Sequence, residues 1–459
     1  MKAFLENFIA RLWNRTTSRR VRTRVARGLY LGARFVDGAS SQGGVYIEQS
    51  RRAEHLAVLG KTGVGKSFLL RSLARQDIQS NRGFVFFDLH GDATPFLLGT
   101  IADQENIVKQ NLDDRLIVVE PADRDRSVGI NPLESRNGNN RFIQIAEFTN
   151  VLRQRWHLES FGARTDELLR NSLFALAENS LTLLELGLFL SHAGFRARCI
   201  GRITNAEVRQ YFELRYESVS EAMQAVMREP ILNKISAFTA DPHFRHIVGQ
   251  HHSTFSLINA IDNGYWIILN LHKGKLGDQS ATLGSLFLTM IKNTLFARNS
   301  RNLFTLYCDE IQNLVAYGSG LETMLSEARK FAISIVSANQ FLDQYPPEMR
   351  AAILAVGTHA YFQPSSSDAQ QVATALDGGK ALAETLKNLP RRHFVVKTGA
   401  ERWQQAVVPT LAEPKTDPAN LYARCRARWA RTRNDIESEI RQRQAVATRT
   451  TNEVLNGWE

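Results

Sequence analysis

The chain has 459 residues, 43% of them hydrophobic and 22% charged, with a net charge of +11. That length fits two or three domains, and the composition is ordinary for a soluble globular protein. No apolar run approaches the eighteen residues of a membrane span, and three widely spaced cysteines, Cys199, Cys308 and Cys425, speak against a disulfide scaffold or a thiolate metal site.

The first segment, residues 1–42, reads as a basic appendage. "FLENFIARLW" puts Phe4, Leu5, Phe8, Ile9 and Leu12 on one helical face, and an arginine cluster from Arg15 to Arg27 follows. Glu6, Asn7 and Arg11 interrupt the apolar positions, so this is not a secretory signal. An apolar face beside a basic cluster fits a helix lying on an anionic membrane surface, and equally a helix docked on the protein's own core. Residues 1–34 hold nine Lys/Arg against one acid, and residues 390–459 hold thirteen against eight, so the middle of the chain is close to neutral. Basic ends suit a polyanionic partner, nucleic acid or membrane; solvated charge that aids solubility is the plain alternative.

From 43 to 140 the pattern is strand alternating with helix. "HLAVL" reads as a buried strand, "GKSFLLRSLARQDIQ" as a helix, and "GFVFFDL" and "RLIVVE" as further strands. Continuous apolar runs bounded by turns predict parallel strands covered on both faces. From 141 to 245 the apolar residues recur every three or four positions, which predicts an all-helical insertion. The α/β pattern resumes over 246–412 with the strands "YWIILNL", "LFTLYC", "ISIVSA" and "THAYFQ". "HFVVKT" and "QAVVPT" are expected to close a sheet edge. Residues 413–459 read as a linker, a basic helix and a frayed tail. The expected fold is α/β: a core with a mostly parallel sheet, interrupted by a helical domain.

Gly60-Lys61-Thr62-Gly63-Val64-Gly65-Lys66-Ser67 fits G-x-x-x-x-G-K-[ST] between a strand and a helix. The glycines let backbone N–H groups turn toward phosphate oxygens, and the helix adds the positive end of its dipole. Lys66 is expected to reach the β- and γ-phosphates of ATP, and the Ser67 hydroxyl to bind Mg²⁺. Hydrolysis needs a second carboxylate site, and the strand "LFTLYC" delivers Asp309 and Glu310 to its carboxyl end, where open α/β sheets bind ligands. Asp309 would hold Mg²⁺ through water beside Ser67, and Glu310 would polarise the attacking water. The plain alternative is a helix N-terminus decorated with acids. Gln340 ends the strand "ISIVSANQ", where a group can sense the γ-phosphate; a loop glutamine is the other reading. Arg329, in "SEARKF", is either the polar face of an amphipathic helix or an arginine offered to a neighbouring subunit's nucleotide.

These segments, with "FVFFDLHGD", "GINPL", "EARKFAISIVSANQ" and "GTHAYFQPSSSDAQ", occur in an order that resembles the HerA–FtsK superfamily of ring ATPases. The resemblance is to the type IV secretion coupling branch, the TraD/TraG-like conjugative proteins with a TraM-recognition segment, over residues 43–440. It implies a homohexameric motor that pumps DNA through a central channel, with Gln340 sensing the γ-phosphate and Arg329 acting on the neighbour's nucleotide. Asp88, His90 and Asp92 match the family's D-x-H-G-D element, with no chemical step assigned. The implied fold is a RecA-like P-loop core with a mostly parallel sheet, and the insertion corresponds to the family's all-alpha domain. Relaxosome or secretion-channel components are the further partners implied. Typical coupling proteins carry N-terminal transmembrane helices, and this sequence offers none, so the expected location is cytoplasmic or peripheral at the inner face of the membrane. Two other readings stand beside the translocase. One keeps the motor for DNA-end processing with a nuclease, or for protein secretion. The other is a nucleotide-gated module that binds DNA or membrane and hydrolyses slowly.

Overall fold

The structure is a computed structural model and describes residues 28–36, 38–134, 141–298, 300–314 and 321–455. The apolar helix and arginine cluster expected before residue 28 lie outside the described residues.

Eleven strands form one sheet. In chain order they are β1 (Leu29–Val36), β2 (Ala39–Ile47), β3 (Leu56–Leu59), β4 (Phe84–Asp88), β5 (Leu116–Val119), β7 (Trp266–Asn270), β8 (Phe304–Cys308), β9 (Ile333–Asn339), β10 (Thr358–Tyr361), β11 (His393–Thr398) and β12 (Gln404–Val407). Two-residue strands β6 (Arg126–Ser127) and β13 (Arg431–Thr432) pair separately. Across the sheet the order is β2-β1-β12-β11-β10-β3-β9-β8-β4-β7-β5. The pairings from β10 to β5 are all parallel, and those from β10 out to β2 are antiparallel.

The parallel strands are buried along their whole length because each face has its own cover. Leu56, Val58, Phe84 and Phe86 pack with Leu69, Leu70, Leu73, Phe96 and Leu97 from the helices Lys66–Gln79 and Ala93–Val108. The alternate residues Ala57, Leu59, Val85 and Phe87 join Leu283, Leu286 and Phe287 of the helix Gln279–Ala297 on the other face. This period of two inside continuous apolar runs is why the strands read as buried parallel ones.

"HFVVKT" and "QAVVPT" do not end the sheet. They become β11 and β12, and the hairpin β1–β2 continues beyond them to form the edge. Its register shifts between Tyr30 and Gly32 and again between Ala33 and Phe35. Thus β1 lies within the stretch read as appendage from sequence.

Helices dominate from Arg141–Arg155 to Pro242–Val248, including Ala163–Glu178 and Glu221–Ala240. The chain then returns to the sheet at β7. Its last part runs as two helices, Ala419–Trp429 against β5 and the helix Ala93–Val108, then Arg433–Leu455 along the inserted helices. Arg424 pairs with Glu105 and Asp113, Arg428 with Asp113, and Arg426 with Asp123. Further on, Glu437 receives Arg245 and His246, and Arg443 pairs with Glu185. The arginines that made this end look like a polyanion surface are therefore largely committed to carboxylates of the same chain.

Candidate nucleotide site

The loop between β3 and the helix Lys66–Gln79 closes on left-handed glycines. Gly60 has φ 157°, and a Cβ there would meet the Phe362 Cβ at 2.6 Å, so the position excludes any side chain. Gly65, at φ 122°, caps the helix N-terminus. Lys66 is buried, and its Nζ donates back to the carbonyls of Gly60 (2.5 Å) and Lys61 (3.0 Å). Burial lowers its pKa, opposed by the charges of Glu310 and Asp309.

β8 ends in the two carboxylates. Ser67 Oγ donates to Asp309 Oδ2 at 3.0 Å. Burial, aided by the neighbouring Glu310, raises the Asp309 pKa. Glu310 sits at φ 54°, a left-handed conformation that costs a non-glycine residue free energy and that clusters at functional sites. Its carboxylate accepts from Gln340 Nε2 at 2.9 Å and from the Gln312 amide, and Thr62 Oγ1 donates to Gln340 Oε1 at 3.0 Å. The phosphate loop, the carboxylates and the strand-end glutamine thus share one rim of the sheet. They line a cavity of about 390 Å³ together with His90 and Asp92.

Asp88 does a different job from its two motif neighbours. Its carboxylate is buried and accepts from the N–H groups of Gly91, Ala93 and Thr94 and from the Thr94 hydroxyl, capping the helix Ala93–Val108.

Arg329 is not in this cavity. It precedes the amino end of β9, whereas Gln340 follows the carboxyl end. Seven strand residues separate the two ends, about 23 Å at 3.3 Å per residue. Arg329 is 68% exposed and lies 3.4 Å from Glu54, which also pairs with Arg51. It cannot reach the nucleotide cavity of its own chain.

Two groups at the site escaped the sequence reading. Arg391 and Arg392, before β11, border the phosphate loop: Arg391 Nε donates to the Gly63 carbonyl (2.9 Å), and the Arg392 backbone N–H to that of Val64 (2.8 Å). Behind the site, Arg52 and Asp77 form a buried ion pair at 2.6 Å, and Asp77 also accepts from the Tyr307 hydroxyl at 2.7 Å. This ties the far end of the phosphate-loop helix to β8.

A strand–glycine loop–helix unit, with paired carboxylates on one neighbouring strand and a glutamine on another, defines a RecA-like P-loop ATPase fold. Residues 36–291, more than half of the chain, match the family described as Helicase HerA, central domain. The chain belongs to that family, in keeping with the HerA–FtsK resemblance of its motifs. No curated protein matches it in sequence. Among solved structures it is similar to the plasmid coupling protein TrwB in complex with the GTP analogue GDPNP, at 17% identity and a TM-score of 0.61, over 84% of this chain and 96% of that one. The same figures hold for TrwB in complex with ADP and Mg²⁺. VirB4 of Thermoanaerobacter pseudethanolicus aligns at 15% identity and a TM-score of 0.57, over 84% of this chain and 97% of that one. No helix among the described residues is long and apolar enough to cross a membrane.

Proposed function

We propose that the chain is an ATP-driven DNA translocase of the conjugative coupling type, working as a homohexameric ring. One observation carries the reading: the nucleotide cavity and Arg329 lie at opposite ends of β9. An exposed arginine on the rim opposite its own chain's cavity is the arrangement expected of subunits that act on each other's nucleotide.

Within the cavity each group has a task. Lys66 Nζ, now held by loop carbonyls, would turn to the β- and γ-phosphates. Ser67 Oγ and Asp309 Oδ2, already in contact, fit Mg²⁺, which would neutralise phosphate charge when bound. Glu310 is placed to orient and deprotonate water, with Gln340 fixing its carboxylate and linking it to the loop through Thr62. The neighbour's Arg329 would stabilise charge on the departing phosphoryl group.

The test is ATP turnover of the purified chain against DNA of increasing length, single- and double-stranded. A translocase gives turnover that rises with length. Turnover indifferent to DNA would overturn the reading. The match to the HerA family favours a second use of the same motor, DNA-end processing. Co-purified partners separate the two: a nuclease for processing, a relaxase and channel components for conjugation.

A further inference from the structure

Glu310, Gln340 and Asp309 mark where a terminal phosphate would sit. By the order of residues along the loop, the region past Ser67 is left for the nucleoside. Besides the loop, the carboxylates and Gln340, the cavity is lined by Phe68, which follows Ser67, and by Arg71, Arg391 and Arg392. Arg392 stands out among them. Its guanidinium carbon lies 4.8 Å from the centre of the Phe68 ring. Its backbone adopts φ 68°, a conformation an arginine holds only where its surroundings impose it. Two hydrogen bonds impose it here: Arg392 N–H to the Val64 carbonyl, and Val408 N–H to the Arg392 carbonyl. The turn is thus fastened both to the phosphate loop and to β12's continuation. Arg71, which also lines the cavity, has a buried Nε without a hydrogen-bond partner.

We propose that Arg392, backed by Phe68, forms the nucleobase subsite, with the base stacking on the guanidinium plane. This deepens the ATPase reading and rests on it. A flat cation held over an aromatic ring offers a preformed surface to a base, which is flat and polarisable. Stacking of this kind tolerates any base, because every base has a π-face.

The test uses calorimetric titration of the full chain with ATP and, separately, with inorganic tripolyphosphate, which has the charge but no base. Arg392→Ala should weaken ATP binding about tenfold and leave tripolyphosphate binding unchanged. Arg392→Asn, which tolerates the left-handed backbone, should do the same and controls for damage to the turn. Arg392→Lys keeps the charge but loses the plane, and should resemble the alanine variant. Equal loss of ATP and tripolyphosphate would make Arg392 a phosphate ligand and overturn the proposal, as would unchanged ATP binding in both Ala and Asn variants. Wild-type protein that binds neither compound would overturn the ATPase reading itself.

Discussion

Mixing two inactive variants, Arg329→Ala and Glu310→Gln, should restore ATP turnover. The span of β9, about 23 Å, is longer than any side chain, so Arg329 serves a cavity other than its own or none at all. Arg329→Ala alone should lower turnover about 10³-fold or more, the usual worth of such an arginine. Glu310→Gln alone should lower it about 10²–10⁴-fold by removing the base. In an equal mixture a boundary works when an Arg329→Ala chain supplies the cavity and a Glu310→Gln chain supplies the arginine. Random assembly makes that about a quarter of all boundaries, so turnover should return to about a quarter of wild type. The assay is steady-state phosphate release after subunit exchange, with exchange itself followed by fluorescence transfer between labelled chains. Exchanged but inactive mixtures would refute the reasoning, because they would leave Arg329 without a cavity to serve.

Lys66→Ala should abolish ATP binding in a titration, whereas Glu310→Gln should bind ATP as wild type does and fail only in turnover. Asp77→Ala should destabilise the chain by about 3–5 kcal/mol in urea unfolding, because it leaves the Arg52 charge buried and unpaired; replacing both partners by apolar residues of similar size should recover most of that loss. His55 and His359 are held neutral by burial, each with its pKa lowered to about 4. His55 also accepts the Ile335 N–H, which requires an unprotonated ring nitrogen. Below about pH 6.5 the unfolded chain takes up protons that the folded chain refuses, so stability falls as pH drops through 6.5 toward 4. Between pH 7.5 and 5 the two rings together should cost roughly 4 kcal/mol, read as a lower urea midpoint. A flat profile, or a His55→Gln, His359→Gln variant equally sensitive to pH, would count against this.

What could be read from sequence was what is local in sequence. The phosphate loop is eight consecutive residues, and Asp309, Glu310 and Gln340 each end an apolar run, so one pattern gives both element and position. The hairpin β1–β2 escaped because "ASSQGGVYI" has little apolar alternation, and two register shifts blur what there is. Arg392 carried no motif: only the folding of β10 and β11 against β3 brings it to Val64. Arg52 lies in "QSRRAE", which looks like an exposed basic turn, yet Asp77 and Thr305 bury it. The C-terminal arginines misled in the opposite direction. Their charge was visible, but their partners were not, since Arg428 and Asp113 stand 315 residues apart.

The end of the chain is riveted to both lobes. Ala419–Trp429 is bolted to the sheet lobe through Glu105 of the helix Ala93–Val108 and Asp113 of the loop before β5, and the next helix to the inserted lobe through Glu185, Arg245 and the buried Ile436 and Ile440. Any hinge motion between the lobes must first snap these ion pairs and wet those two isoleucines. Such a chain moves as one block, and in the ring proposed above the joint that flexes would fall at the seam where one block meets the next.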